Sequence, residues 1–227
     1  MNLQKKMVFL ERIYEIYDNF TKGLDVACKK KCANCCTRNV TMTTLEGYKI
    51  AVFLKLRGKT DLYAKIQKDL YKKRFLPETT INMMAELCLQ KKDIPDEESD
   101  VMWGECPLLI NRECPIYKVR PFGCRCFVSG TNCKENGYAE VDPFVITVNS
   151  LFLQYIEHTD KNGCFGNLTD VLLFMQTEES RKLFEKGIIK CKNAWMIPSR
   201  PIKAFLVPPE HKARIDPILK ALQNSVS

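Results

Sequence analysis

Four cysteines fall within nine residues at Cys28, Cys32, Cys35 and Cys36, and Cys106, Cys114, Cys124, Cys126 and Cys133 form a second knot. No other feature constrains the fold as tightly. CKKKCANCC carries neither a helical nor a strand period, so it reads as a short irregular loop. Twelve cysteines in 227 residues is about 5%, below the density of a small disulfide-stapled scaffold. Thiols packed this closely in sequence usually share a metal or a metal–sulfur cluster.

A disulfide framework needs an oxidising compartment, and residues 1–20 argue against export. Charges at Lys5, Lys6, Glu11, Arg12, Glu15 and Asp18 leave no uninterrupted apolar segment for a signal peptide. No later window approaches the ~18 apolar residues of a membrane span. The expected setting is the cytoplasm, where clustered cysteines read as metal ligands or redox groups. The formal charge of +8 is spread along the chain without RNA-binding or zinc-finger spacing, so solvated helix faces explain it better than nucleic acid. Cations also flank the thiols: Lys29, Lys30, Lys31, Arg38, Arg112, Arg120 and Arg125. Nearby positive charge lowers thiol pKa values and favours metallation.

With 45% hydrophobic residues, the chain can build a real core, and its length predicts a single domain over 1–227. A cysteine-cluster core is expected over 25–133 and a helical part over 134–227. The predicted fold is mainly α, with irregular cysteine-rich loops and room for one short β-hairpin, organised around a thiolate metal centre. Residues 1–20 predict an amphipathic helix with Phe9, Ile13, Ile16 and Phe20 on one face and Leu3, Leu10, Tyr14 and Tyr17 beside them. NVTMT reads as extended, and Thr43 or Thr44 then caps a helix with Glu46 in its first turn and Ile50, Phe53, Leu54 and Leu56 for burial. Helices are also predicted over 60–75, 77–91, 143–158, 168–187 and 210–223, the second beginning at Pro77. Residues 91–100 read as a flexible linker. Asn111-Arg112-Glu113 suits a hairpin turn between two apolar runs. Cys88 is expected to be a buried, inert thiol, and Cys164 and Cys191 ordinary isolated thiols.

The only histidines, His158 and His211, lie in predicted helices far from either knot, so ligation must be mostly thiolate. That narrows the metal to zinc, iron–sulfur or copper(I). Cys32-x2-Cys35 alone suits zinc, but the second knot lacks a matching pair. Cys106-Pro107 and Cys114-Pro115 resemble a ferredoxin ligand, and uneven loops suit a cluster whose inorganic core sets the geometry. Iron–sulfur is therefore favoured over zinc. Adjacent Cys35 and Cys36 point apart in an ordinary backbone, so they can serve two metals. Cys28-x3-Cys32-x2-Cys35 matches the spacing of radical S-adenosylmethionine enzymes, but Asn34 replaces their usual aromatic residue and the βα alternation is missing.

Read together, both knots resemble the CxxCxxCC family, described as zinc- or iron-chelating domain proteins of bacteria and archaea. The resemblance rests on Cys28-x3-Cys32-x2-Cys35-Cys36, on Thr43-x-x-Glu46, on Cys106-Pro107-Leu108-Leu109, and on Cys114 through Pro121 followed by Gly123-Cys124-Arg125. It implies Cys28, Cys32, Cys35, Cys36, Cys106, Cys114 and Cys124 as ligands; Cys126 is added as a candidate from its place in the knot, and Cys133 lies outside the family pattern. The flagellin lysine-N-methylases are similar in cysteine pattern and are held to carry an iron–sulfur cluster, which implies a methyltransferase alternative using S-adenosylmethionine. No Gly-rich cofactor loop accompanies it here. Tyr117, Arg120 and Arg125 are candidates for contacting a bound cofactor, Arg120 and Arg125 as forked donors. A metalloprotein with a redox or substrate-binding role is expected, most simply holding a 4Fe-4S cluster, its partner an unidentified small molecule or protein. A structural zinc module for partner binding is the bland alternative.

Overall fold

The computed structural model describes residues 1–29, 31–191 and 195–225. It is mainly α, with one small antiparallel sheet. Helix α1 (Leu3–Thr21) starts at Asn2, whose side chain accepts from the Lys5 N–H. It buries Phe9, Leu10, Ile13, Tyr14 and Tyr17. Phe9 and Ile13 thus lie on the predicted face with Leu10, Tyr14 and Tyr17 beside them, whereas Ile16 and Phe20 are only part-buried.

Strand β1 (Thr41–Thr43) runs directly into α2 (Thr44–Leu56). Thr43 and Glu46 cap that helix reciprocally, each side chain accepting from the other's backbone N–H. Leu56, expected inside, is 80% exposed at the helix end. The two helices predicted between 60 and 91 are shorter in the structure: α3 (Leu62–Lys68) and α4 (Ile81–Leu89). Pro77 does not open α4; Thr80 caps it, accepting from the Met83 N–H at 3.1 Å. Asn82, Ala85 and Glu86 face inward, which leaves Cys88 off the buried face and exposed, contrary to expectation. The 91–100 segment has no regular structure, yet it is pinned where Glu97 accepts from the Glu78 and Thr79 N–H groups at 3.1 and 2.7 Å.

The second knot holds a 3-10 turn at Tyr117–Val119 and two four-residue helical turns, α5 (Phe122–Arg125) and α6 (Cys133–Asn136). Its hairpin is a single bridge between Ile110 and Glu113. Asn111 and Arg112 both take positive φ, as a two-residue hairpin turn requires. Beyond it runs α7 (Pro143–Thr159), close to the predicted span. The helix expected over 168–187 is divided into α8 (Leu168–Met175) and α9 (Glu178–Glu185), because Thr177 caps a new start. Strands β2 (Cys164–Asn167) and β3 (Met196–Pro198) complete a sheet of order β1-β2-β3. The chain ends in α10 (Lys212–Asn224). No helix among the described residues is long and apolar enough to cross a membrane.

Two apolar clusters make the core. One joins α1, α7 and α10 with Leu45, Phe122, Met175 and Phe184. The other joins the sheet, α2, α3 and α8 with Leu108 and Ile116 from the second knot. Cys164 and Cys191 are not free thiols as expected. They form a disulfide spanning 27 residues, with Cys164 wholly buried at the start of β2. Three-to-four-residue strands carry too short a period to show in sequence, so nothing local indicated that β2 and β3 bring these cysteines together.

Candidate metal centre

The two knots are stitched to each other through the backbone. Cys106 N–H donates to Cys36 O at 2.8 Å, and Arg38 N–H donates to Gly104 O at 3.1 Å. A bridge pairs Thr37 with Glu105 between them. On the other side Ala27 N–H donates to Ser129 O at 2.8 Å. Arg112 closes the tip, its Nη2 donating to Asn34 Oδ1 at 3.2 Å, while Lys31 pairs with Glu113 at 3.4 Å.

Phe122 plugs this assembly into the helical layer. Its ring is fully buried, edge-on to Tyr17 at 4.6 Å and stacked on Phe152 at 5.6 Å. Burying such a ring contributes about 1.5–3 kcal/mol. Its N–H donates to Glu46 Oε1 at 2.7 Å, so the acid that caps α2 also holds the segment leading into Cys124. Gly123 lies against β1, where an added Cβ would stand 2.9 Å from Thr41 O. Only glycine permits that approach, and it seats the next residue, Cys124.

The thiols fall into two overlapping groups according to which of them raise one another's pKa, with Cys126 acting on Cys124 as well as feeling Cys35. Burial raises Cys124 well above its ordinary pKa, and Cys106 and Cys114 raise it further. Cys36 is shifted down chiefly by hydrogen bonding from Cys35, against burial and the charges of Cys124, Cys106 and Cys114. Cys106 is pushed up to about 11, first by burial and then by Cys114. These four form an inner set. In the outer set, Cys28 is raised by burial and by neighbouring Cys35, Cys32 and Cys133. Cys126 is pushed up to about 12, by burial first and with Cys35 among its neighbours. Cys28 and Cys32 are exposed, whereas the other seven knot cysteines are half-buried. Mutual charge effects thus link the two knots, Cys36 with Cys106, Cys114 and Cys124, and Cys35 with Cys126. Adjacent Cys35 and Cys36 belong to different groups, touching each other where the sets meet.

Among the described residues, no three or more His, Cys, Asp or Glu side chains are arranged to hold a metal ion. A tetrathiolate zinc shell, with Zn–S near 2.3 Å, would draw its sulfurs to about 4 Å from one another. The donor chemistry fits a thiolate-bound group, and the surrounding cations fit a negatively charged one. Arg38 Nε and Arg120 Nε are both buried without a hydrogen-bond partner. Arg120 favours the thiolate forms of Cys35, Cys114, Cys124 and Cys126, and Arg38 that of Cys106. An anion beside them would satisfy donors that the protein leaves unmatched.

The three predicted cofactor-contacting residues separate. Arg120 lies among the thiols, its guanidinium 3.9 Å from the centre of the Tyr117 ring. Tyr117 is exposed and serves as that stacking surface. Arg125 is occupied elsewhere: it donates to Arg120 O at 3.2 Å and Lys118 O at 3.0 Å, pairs with Asp18 at 3.3 Å and stacks on Tyr14 at 4.2 Å. Of the flanking lysines, Lys30 lies outside the described residues. Each histidine is held through Nδ1 by a partner outside the knots. His158 Nδ1 accepts from Ile202 N–H at 3.0 Å, and His211 Nδ1 lies 2.8 Å from Thr147 Oγ1.

Comparison of the chain with protein-family models, with curated proteins and with solved structures finds no match.

Proposed function

We propose that this chain is a thiolate metalloprotein whose two cysteine knots hold iron–sulfur chemistry, with a redox or substrate-holding role. The observation that carries the reading is the Cys106 N–H to Cys36 O hydrogen bond at 2.8 Å, which joins the knots beside the inner thiols. Cys36, Cys106, Cys114 and Cys124 would hold one cluster; the outer set of Cys28, Cys32, Cys35, Cys126 and Cys133 offers ligands for a second. When bound, such a cluster supplies one-electron transfer, or a Lewis-acidic iron where one position is left open. Arg120 would offset the negative charge of the thiolate shell, with Arg38 shared between it and Asp69, to which its Nη2 pairs at 3.2 Å. The exposure of Cys28 and Cys32 puts the outer set within reach of a partner.

Anaerobic purification tests this directly. The expected protein is brown, absorbs broadly near ~400 nm and contains iron and acid-labile sulfide. Cys106→Ser should remove the inner share of the iron, and Cys35→Ser combined with it should remove nearly all. A colourless protein carrying zinc or no metal under those conditions would overturn the proposal.

A further inference from the structure

A second site lies at the opposite ends of α1 and α7 from the knots, which meet Asp18 and Asn149, and does not depend on the metal reading. Between α1, the end of α7, the segment around Ile202–Phe205 and α10 is a cavity of about 550 Å³, within the range of small-molecule sites. One wall is aromatic. Phe9 and Tyr155 are buried there, and Phe205, 40% exposed, stacks on Tyr155 at 6.0 Å and 19°. The facing side presents Lys6, His158 and Lys161, and no aspartate or glutamate among the described residues lines the space.

The polar groups have donor capacity to spare. Lys161 has no carboxylate partner among the described residues. Lys6 Nζ lies 3.7 Å from Asp160 Oδ1, too long for a direct hydrogen bond, and that oxygen is itself buried without a partner. His158 accepts the Ile202 N–H through Nδ1, so the neutral ring carries its proton on Nε2 and can donate it. Burial, and then Lys161, hold the His158 pKa below its ordinary value, which keeps the ring neutral at physiological pH. Lys6 and Lys161 outnumber the one neighbouring carboxylate, Asp160, and Met1 lines the cavity as well, so the charge beside the aromatic wall is net positive.

We propose that this cavity binds a small aromatic monoanion, a flat ring bearing one carboxylate. The ring lies against Tyr155 and Phe205, and the carboxylate accepts from Lys161, Lys6 and His158 Nε2–H. Offset ring contacts give the apolar part its orientation, and charge-assisted donors select the anion.

Calorimetric titration of the full chain at neutral pH with naphthalene-2-carboxylate, and separately with its neutral amide, tests the site. The carboxylate should bind one-to-one, and the amide roughly tenfold more weakly, the equivalent of about 1.4 kcal/mol. Lys161→Ala and Phe205→Ala change exposed side chains and should each weaken the carboxylate by roughly fivefold or more. Lys73→Ala, on a different cavity, should leave binding unchanged. Absence of binding, equal binding of the amide, or affinity indifferent to both cavity variants would each overturn the proposal.

Discussion

Glu46 shows how much one buried side chain can organise. Its carboxylate accepts from Tyr14 Oη at 2.8 Å, Phe122 N–H at 2.7 Å, Thr43 N–H at 2.9 Å and Thr43 Oγ1 at 3.0 Å. It thereby joins α1, the start of α2 and the second knot at one point. Burial first, and then this carboxylate, raise the Tyr14 pKa well above its ordinary value, so the phenol remains a donor. Replacing Glu46 with alanine strands Tyr14 Oη and Phe122 N–H in the interior. The expected loss is about 2–5 kcal/mol, measured as a lower urea midpoint with an unchanged slope. Tyr14→Phe removes only one donor and should cost about 1 kcal/mol. Equal losses in the two variants would show that Phe122 does not depend on Glu46. From sequence alone, Glu46 is visible only as a capping residue, since its other partners lie 32 and 76 positions away.

Among the elements, the start of α2 is tied down from a second direction by the end of α7. Asp160 Oδ2 accepts from Thr44 Oγ1 at 2.6 Å and Leu45 N–H at 2.9 Å, and Thr44 Oγ1 in turn accepts from Cys164 N–H at 2.9 Å. Gly163 makes the crossing feasible, because a Cβ there would meet Thr44 Oγ1 and Asp160 Oδ2 at 2.3 and 2.4 Å. Burial outweighs these hydrogen bonds and Lys6, pushing the Asp160 pKa from 3.8 to about 6. The folded state therefore holds this proton more tightly than the unfolded chain. Its stability contribution is fully present below about pH 4, falls as pH rises towards 6, and is level above that, a decline of up to about 3 kcal/mol. Asp160→Asn keeps an acceptor for Thr44 and Leu45 and should flatten the decline in urea-derived stability across pH 4–7. Glu157, also raised chiefly by burial, contributes with the same sign in both proteins, so the difference between them isolates Asp160. An unchanged pH profile in the variant would rule this out.

For the molecule as a whole, the disulfide and the knots do separate jobs. Cys164–Cys191 ties β2 to the segment before β3, whereas the knots meet beside α5 and β1. Closing a 27-residue loop restricts the unfolded chain by about 3–4 kcal/mol in the chain-entropy model. Cys191→Ser should lower the melting temperature by roughly 8 °C in a chain of this size. Metal content after anaerobic purification should stay at the parent level. A drop in iron with Cys191→Ser would mean that the disulfide also positions the knots.

The sequence by itself determined what rests on local pattern. Helical periodicity placed α1, α7 and α10, periodicity with a cap placed α2, Asn111-Arg112-Glu113 marked the hairpin, and nine clustered thiols marked the candidate centre. Tertiary structure decided what depends on residues far apart in the chain. Cys164 and Cys191 become partners only through the β2–β3 pairing, Cys88 faces out because α4 buries Asn82 and Glu86 instead, and Arg125 is claimed by Asp18 across 107 positions. Backbone period and capping act over one turn of helix or strand, but thiol neighbourhoods, buried carboxylates and the Lys6–Lys161 cavity are set by packing between elements.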